Sequence, residues 1–150
     1  MLQVGDQAPD IELRTDSGEP FRLSDLKGKR AVLYFYPRAD TPGCTVEACE
    51  FRDDIKKFAH KGAAVVGISP DTPAAQARFK KKYDLPFTLL ADEEKAAAQA
   101  YGVWKEKNMY GKKVMGIERS TFVIGPDGKI ERIYGHVKAK GHAAAVLKEL

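Results

Sequence analysis

The sequence predicts an α/β fold in which a central mixed β-sheet is flanked by helices and preceded by an N-terminal β-hairpin. Three observations predict it. Two continuous apolar runs of strand length, Arg30–Tyr36 and Ala63–Ser69, are each followed by helical periodicity. Short strand-like segments bounded by turn residues stand toward both ends of the chain. A length of 150 residues, with 43% hydrophobic and 31% charged side chains, suits one compact domain over 1–150 that needs no metal or cross-link to hold it.

Each element has its own signal. Ile11–Leu13 and Phe21–Leu23 flank Asp16-Ser17-Gly18 and read as a hairpin at an edge of the sheet. Arg30–Tyr36, stopped by Pro37, reads as a central strand covered on both faces. From about Gly43 to His60 the period becomes helical, with Ala48, Phe51, Ile55, Phe58 and Ala59 on one face. Ala63–Ser69 is a second buried strand, and a helix follows over Pro73–Tyr83, with Asp71 or Thr72 as its cap and Pro73 at its first position. Thr88–Ala91 is a third strand and Glu93–Tyr101 a short Ala-rich helix. Ser120–Ile124 and Lys129–Tyr134 form a hairpin closed by Gly125-Pro-Asp-Gly128, and residues 141–150 end the chain as a helix.

Composition excludes several classes of function. The longest apolar stretches, Ala31–Tyr36 and Ala63–Ile68, fall far short of the roughly 20 residues of a membrane span, so no membrane partner is expected. The start, Met1-Leu-Gln-Val-Gly-Asp6, has neither a basic segment nor an apolar signal core, which predicts a reducing, cytoplasmic location. Lys and Arg number 25 against 21 Asp and Glu, but the basic residues come in pairs and triplets close to acids. That distribution is a solvated surface, and no nucleic-acid partner is expected. There is no G-x-G, no Gly-Lys continuing to Ser or Thr, no H-E-x-x-H and no G-x-S-x-G, so nucleotide enzymes and common hydrolases recede.

The two cysteines, Cys44 and Cys49, are the chemical signal. In a reducing compartment a close pair more often does redox chemistry or binds metal than forms a structural cross-link. A zinc site would need His136 and His142, whose spacing from the cysteines is far too long, and none of the three histidines is expected to be catalytic. At about 100° per residue, Cys44 projects within roughly 20° of Phe51 on the apolar face and Cys49 about 160° away, toward solvent. Cys44 follows Thr41-Pro-Gly43 in the first helical turn, where free backbone N–H groups favour an anion and suit a nucleophilic sulfur. Cα atoms five residues apart on a helix are about 8–9 Å apart, beyond the roughly 7 Å a disulfide spans. If the two join, residues 42–50 must unwind; the alternative is two unrelated buried thiols.

The segment Tyr36-Pro-Arg-Ala-Asp-Thr-Pro-Gly-Cys-Thr-Val-Glu-Ala-Cys-Glu-Phe-Arg52 resembles the active-site stretch of peroxiredoxins, most closely the peroxiredoxin Q or bacterioferritin comigratory protein subfamily of atypical 2-Cys type. It holds P-x-x-x-T-x-x-C as Pro37, Thr41 and Cys44, and C-x4-C as Cys44 and Cys49. Glu118-Arg-Ser-Thr-Phe122, Val4-Gly-Asp-Gln-Ala-Pro9 and Leu23-Ser-Asp-Leu26 extend the likeness over nearly the whole chain. The resemblance implies a thioredoxin-like fold and a thiol peroxidase of antioxidant defence, reducing hydrogen peroxide and organic hydroperoxides. By the same analogy Cys44 is the peroxidatic nucleophile, Thr41 hydrogen-bonds sulfur and peroxide, Arg119 activates both, Pro37 shields the pocket and Glu47 holds Arg119.

The implied cycle forms an intramolecular disulfide with Cys49, which thioredoxin or a similar dithiol reduces; it uses no cofactor and suits a monomer. Simpler roles stand beside these: Thr41 as a helix cap, Arg119 as a surface strand charge, Pro37 as a strand terminator, Glu47 as a solvated first-turn acid. The rival function is a thiol-disulfide oxidoreductase or redox sensor without peroxide turnover, against which C-x4-C in place of C-x-x-C counts.

Overall fold

The computed structural model describes residues 1–150. In chain order the strands are β1 (Glu12–Thr15), β2 (Pro20–Arg22), β3 (Arg30–Phe35), β4 (Ala63–Ser69), β5 (Thr88–Ala91), β6 (Trp104–Met109), β7 (Lys112–Ile117), β8 (Ser120–Ile124) and β9 (Ile130–Tyr134). The helices are α1 (Pro42–Asp53), α2 (Ile55–His60), α3 (Pro73–Tyr83), α4 (Ala96–Ala100) and α5 (His142–Lys148). Seven strands form one mixed sheet in the order β2-β1-β5-β4-β3-β8-β9. β3, β4 and β5 run parallel; the remaining pairings in this sheet are antiparallel.

Strand alternation explains the two cores. Ala31, Leu33 and Phe35 of β3 face one side, where they pack with Ile68, Leu90, Phe122 and the α4 residues Ala97 and Ala98. Val32, Tyr34 and Tyr36 face the other, against Phe51, Phe58, Phe79 and Val146 from α1, α2, α3 and α5. Both faces of β3 are therefore covered, which accounts for its uninterrupted apolar sequence.

Several boundaries differ from the sequence expectation. The helix expected over 43–60 is interrupted at Asp54 (φ −100°, ψ 7°). The bend lets α1 pack on α5 while α2 packs against β4, and it leaves Ala59 exposed instead of on the buried face. α4 is shorter than 93–101 because the buried Asp92 carboxylate accepts the Ala97 and Ala98 amides (3.1 and 2.9 Å), while Lys95 takes a left-handed conformation and residues 93–95 make a turn. Thr72, not Asp71, caps α3, accepting the Ala75 amide at 3.1 Å. Asp71 accepts the Ala39 amide at 2.7 Å and the Ser69 hydroxyl at 2.6 Å.

The β6–β7 hairpin is a separate two-stranded sheet that the sequence reading leaves unassigned. Its strands are largely exposed, and its turn is Tyr110-Gly111, both at positive φ (53° and 77°), in place of the familiar Asn-Gly. No helix is long and apolar enough to cross a membrane.

Candidate active site

Sheet register brings the candidate site residues together. In the β3–β8 ladder Phe35 pairs with Ser120, so the segment leaving β3 toward α1 lies beside the residue entering β8, Arg119. Arg119 is further fixed through its backbone, its carbonyl accepting the Val137 amide at 3.0 Å, and through its neighbour Glu118, whose amide donates to the Val103 carbonyl at 2.8 Å. The Glu118 carboxylate in turn receives Lys105 Nζ at 3.1 Å and lies 3.1 Å from His136 Nε2.

Cys44 occupies the first turn of α1 and is 1% exposed. Pro42 has no N–H, and Thr45 is the first amide to bond back, to the Thr41 carbonyl at 2.9 Å. The Gly43 and Cys44 amides therefore belong to the set that helix geometry leaves free, at the positive end of the helix dipole. The Arg119 guanidinium divides between two partners: Nη2 donates to Cys44 Sγ at 3.3 Å and Nη1 to Glu47 Oε1 at 2.6 Å. Gly43 makes room for it, since a Cβ at that position would stand 3.2 Å from Nη2.

Glu47 is fully buried, not a solvated first-turn acid. Burial pushes its carboxyl up to about 7 against the lowering effect of Arg119, and its second oxygen, Oε2, has no hydrogen-bond partner. Burial weighs against the Arg119 charge too, but Glu47 and the Cys44 sulfur outweigh it and raise the guanidinium pKa above its usual value.

Thr41 is at the N-cap position, yet its hydroxyl donates to the Arg38 carbonyl at 2.8 Å and makes no side-chain cap bond. The expected hydrogen bond from this hydroxyl to the sulfur is not made here, because the 38–41 turn uses its proton; its oxygen lone pairs remain available. Pro37 is half-buried where β3 ends. Cys49 is half-buried on the same helix as Cys44, and the two thiols are free.

Three neighbours carry no sequence signal of their own. Gly43 matters only through close approach. Lys107 of β6 is half-buried, its stem passing over Gly116 (a Cβ there would lie 3.2 Å from Lys107 Cδ); burial and then Arg119 lower its pKa, while Glu118 and Cys44 oppose them. Its strand, Trp104–Met109, has no hydrophobic alternation that would mark it in the sequence. His142 is buried with Nε2 2.7 Å from Thr121 Oγ1, and burial pushes it down to about 4, leaving it neutral near pH 7. A cavity of about 320 Å³ at the far end of β3, lined by Ala8, Leu23, Leu26, Ala31 and Ile124 among others, contains none of these groups.

Comparison with known proteins identifies the family. The AhpC/TSA family model matches residues 4–133. Peroxiredoxin Bcp of Bacillus subtilis (strain 168) is 50% identical over 149 residues, covering 99% of this chain and 95% of that protein. Peroxiredoxin Bcp of Escherichia coli (strain K12) is 44% identical, covering 99% and 96%. The Xanthomonas campestris bacterioferritin comigratory protein, whose structure was determined for insight into its alkyl peroxide reduction activity, aligns with a TM-score of 0.91 at 38% identity, covering 99% of this chain and 95% of that one. A peroxiredoxin Q structure from the same organism gives a TM-score of 0.92 at 39% identity with the same coverage. A thioredoxin-like sheet, a buried cysteine held by an arginine at the start of a helix, and identity along almost the entire chain lead to one assignment: the chain belongs to the AhpC/TSA family, in its Bcp and peroxiredoxin Q group of thiol peroxidases.

Proposed function

We propose that this single-domain chain reduces hydrogen peroxide and alkyl hydroperoxides through Cys44, is resolved by Cys49 and is recycled by thioredoxin or a similar dithiol. One observation carries the reading: a single guanidinium, Arg119, touches both the Cys44 sulfur at 3.3 Å and the buried Glu47 at 2.6 Å. A cation held that firmly beside a sulfur can stabilise the thiolate and then the charge that develops on the leaving oxygen. The alkyl peroxide reduction named for the Xanthomonas campestris relative supports the substrate class.

In the first step the Cys44 sulfur attacks one peroxide oxygen. The S–O bond forms as the O–O bond breaks, the leaving oxygen takes a proton and departs as water or an alcohol, and the sulfur becomes sulfenic acid. Arg119 and the free amides of the first helical turn stabilise the developing charge. Thr41 accepts a hydrogen bond from the hydroperoxide, and Pro37 shields the pocket from bulk water. Next α1 unwinds over residues 42–50, and the Cys49 sulfur displaces the sulfenic oxygen as water to form the disulfide. The external dithiol then attacks Cys49, the more exposed of the two sulfurs, and exchange returns both thiols. The cycle calls for the two thiols, a hydroperoxide and a dithiol, and it runs in a cytoplasmic monomer.

Stopped-flow oxidation of the wild type beside Cys44→Ser and Cys49→Ser tests the assignment. Cys44→Ser should abolish even a single turnover, whereas Cys49→Ser should keep the first oxidation and lose thioredoxin-driven recycling. Equal loss in both single turnovers would reverse or remove the roles. A wild type that forms the disulfide without catalytic peroxide consumption would be a redox sensor.

A further inference from the structure

Two buried polar atoms in this molecule lack partners, the Tyr34 hydroxyl and Glu47 Oε2, and both are sealed from solvent. Tyr34 is fully buried on β3, and its ring stacks on Phe51, with centroids 4.7 Å apart. Phe51 stands one turn beyond Glu47 on α1, so both orphaned atoms lie under the same helix. Gly67, paired with Tyr34 across β3 and β4, permits this placement: a Cβ there would lie 2.9 Å from Tyr34 Cζ. Burial raises the phenol far above its usual range; Tyr36, then Glu47 and Cys44, add to this, and Arg119 opposes it, so the hydroxyl also feels the groups of the candidate site.

The helix above these atoms is weakly built at its start. Thr41 leaves it without a side-chain cap, and its first turns contain Gly43, Thr45 and Val46, all poor helix formers. The helix is broken again at Asp54.

We propose that Tyr34 is a positioning residue for the resolving step: its unpaired hydroxyl destabilises the wound form of α1 relative to the unwound one and so sets how fast Cys49 reaches oxidised Cys44. The inference rests on the Cys44–Cys49 resolution described above. When the turn carrying Glu47 lifts, water reaches both orphaned atoms and their hydrogen bonds are restored, which is a gain available only to the unwound form. Phenylalanine at position 34 keeps the ring and its stacking and removes that gain. A helix that stays wound holds the sulfenic acid in the pocket longer. A second hydroperoxide then oxidises it to sulfinic acid, the O–O bond breaking and its other oxygen leaving as water or alcohol.

The test compares wild type, Tyr34→Phe and Val46→Ala after rapid mixing with hydrogen peroxide, following Cys44 oxidation, disulfide formation and the final share of sulfinic acid by quenched mass spectrometry. In Tyr34→Phe, Cys44 oxidation should stay within about twofold of wild type, while disulfide formation slows roughly three- to tenfold and the sulfinic share rises in step. Val46→Ala, which raises helix propensity at an exposed position, should slow disulfide formation roughly twofold. Tyr34→Phe that forms the disulfide at the wild-type rate with the wild-type sulfinic share overturns the inference, as does a defect confined to the first oxidation or a change in melting temperature alone. A wild type that forms no Cys44–Cys49 bond overturns the resolution reading itself, an outcome distinct from normal wild-type chemistry with an unchanged variant.

Discussion

Glu47 links the site to the stability of the molecule. Its carboxyl has no accessible surface and burial pushes it up to about 7 from the ordinary 4.5, so between those values the folded chain holds a proton that the unfolded chain has released. Stability therefore contains a contribution that is complete below about pH 4.5 and is lost as the pH rises through about 7, on the order of 3 kcal/mol. Glutamine at 47 does not titrate. Denaturant unfolding of Glu47→Gln and wild type should show the variant gaining stability relative to wild type from pH 4.5 to pH 8; a constant difference across that range would mean that Arg119 keeps the carboxylate ionised throughout. His142 acts in the opposite direction, since a histidine pushed down to about 4 lowers stability as the pH falls from about 6.5, and the variant comparison cancels its effect. At this scale the contact between Cys44 and Arg119 was legible because a compact motif marks the cysteine and the separate Glu118–Phe122 run marks the arginine. The donor direction of the Thr41 hydroxyl was not, because it depends on the Arg38 carbonyl swinging into reach, and the burial of Glu47 depends on strands distant in sequence.

As an element, α1 carries conflicting demands, and Gly43 is where they meet. Alanine is a better helix former than glycine by about 1 kcal/mol, so Gly43→Ala should strengthen the first turn. Its new Cβ would also press on Arg119 Nη2 at 3.2 Å, and the guanidinium, held by Glu47, has little freedom to retreat. The expected outcome is a helix more resistant to unwinding but a Cys44 that reacts with peroxide about tenfold more slowly, checked by stopped-flow oxidation; an unchanged rate would show that Arg119 can shift without loss. The helical period of this segment was readable in the sequence, but the bend at Asp54 was not, because it follows from α5 and β4 requiring different directions of α1 and α2. The β6–β7 hairpin escaped detection for the reverse reason: its two strands bury little, so selection for a hydrophobic pattern is weak, and Tyr110-Gly111 is an uncommon turn pair.

For the molecule as a whole, the proposed resolution by Cys49 exchanges a packed helix for a short cross-link. A disulfide closing a loop this small restricts the unfolded chain only modestly, whereas unwinding residues 42–50 gives up the burial of Cys44, Glu47 and Ala48. Differential scanning calorimetry should therefore find the disulfide form melting about 5 °C or more below the reduced form. An equal or higher Tm would mean that the helix stays wound on oxidation. The sheet that frames this exchange was largely foreseen, since β3, β4, β5, β8 and β9 coincide with the apolar runs and turn signals. What sequence alone does not contain is the lateral order of strands that puts β8 beside β3.

That lateral order reaches beyond catalysis. The Cys44 sulfur and the Arg119 guanidinium lie 75 positions apart along the chain, and their meeting depends on Phe35 standing opposite Ser120. A slip of one residue between these strands would turn Arg119 to the opposite side of the sheet and strand the sulfur without its cation. Peroxide turnover is thus a proofreading signal for folding: a misaligned molecule, however compact, is silent, and any chain that turns over has its β3–β8 ladder correctly threaded.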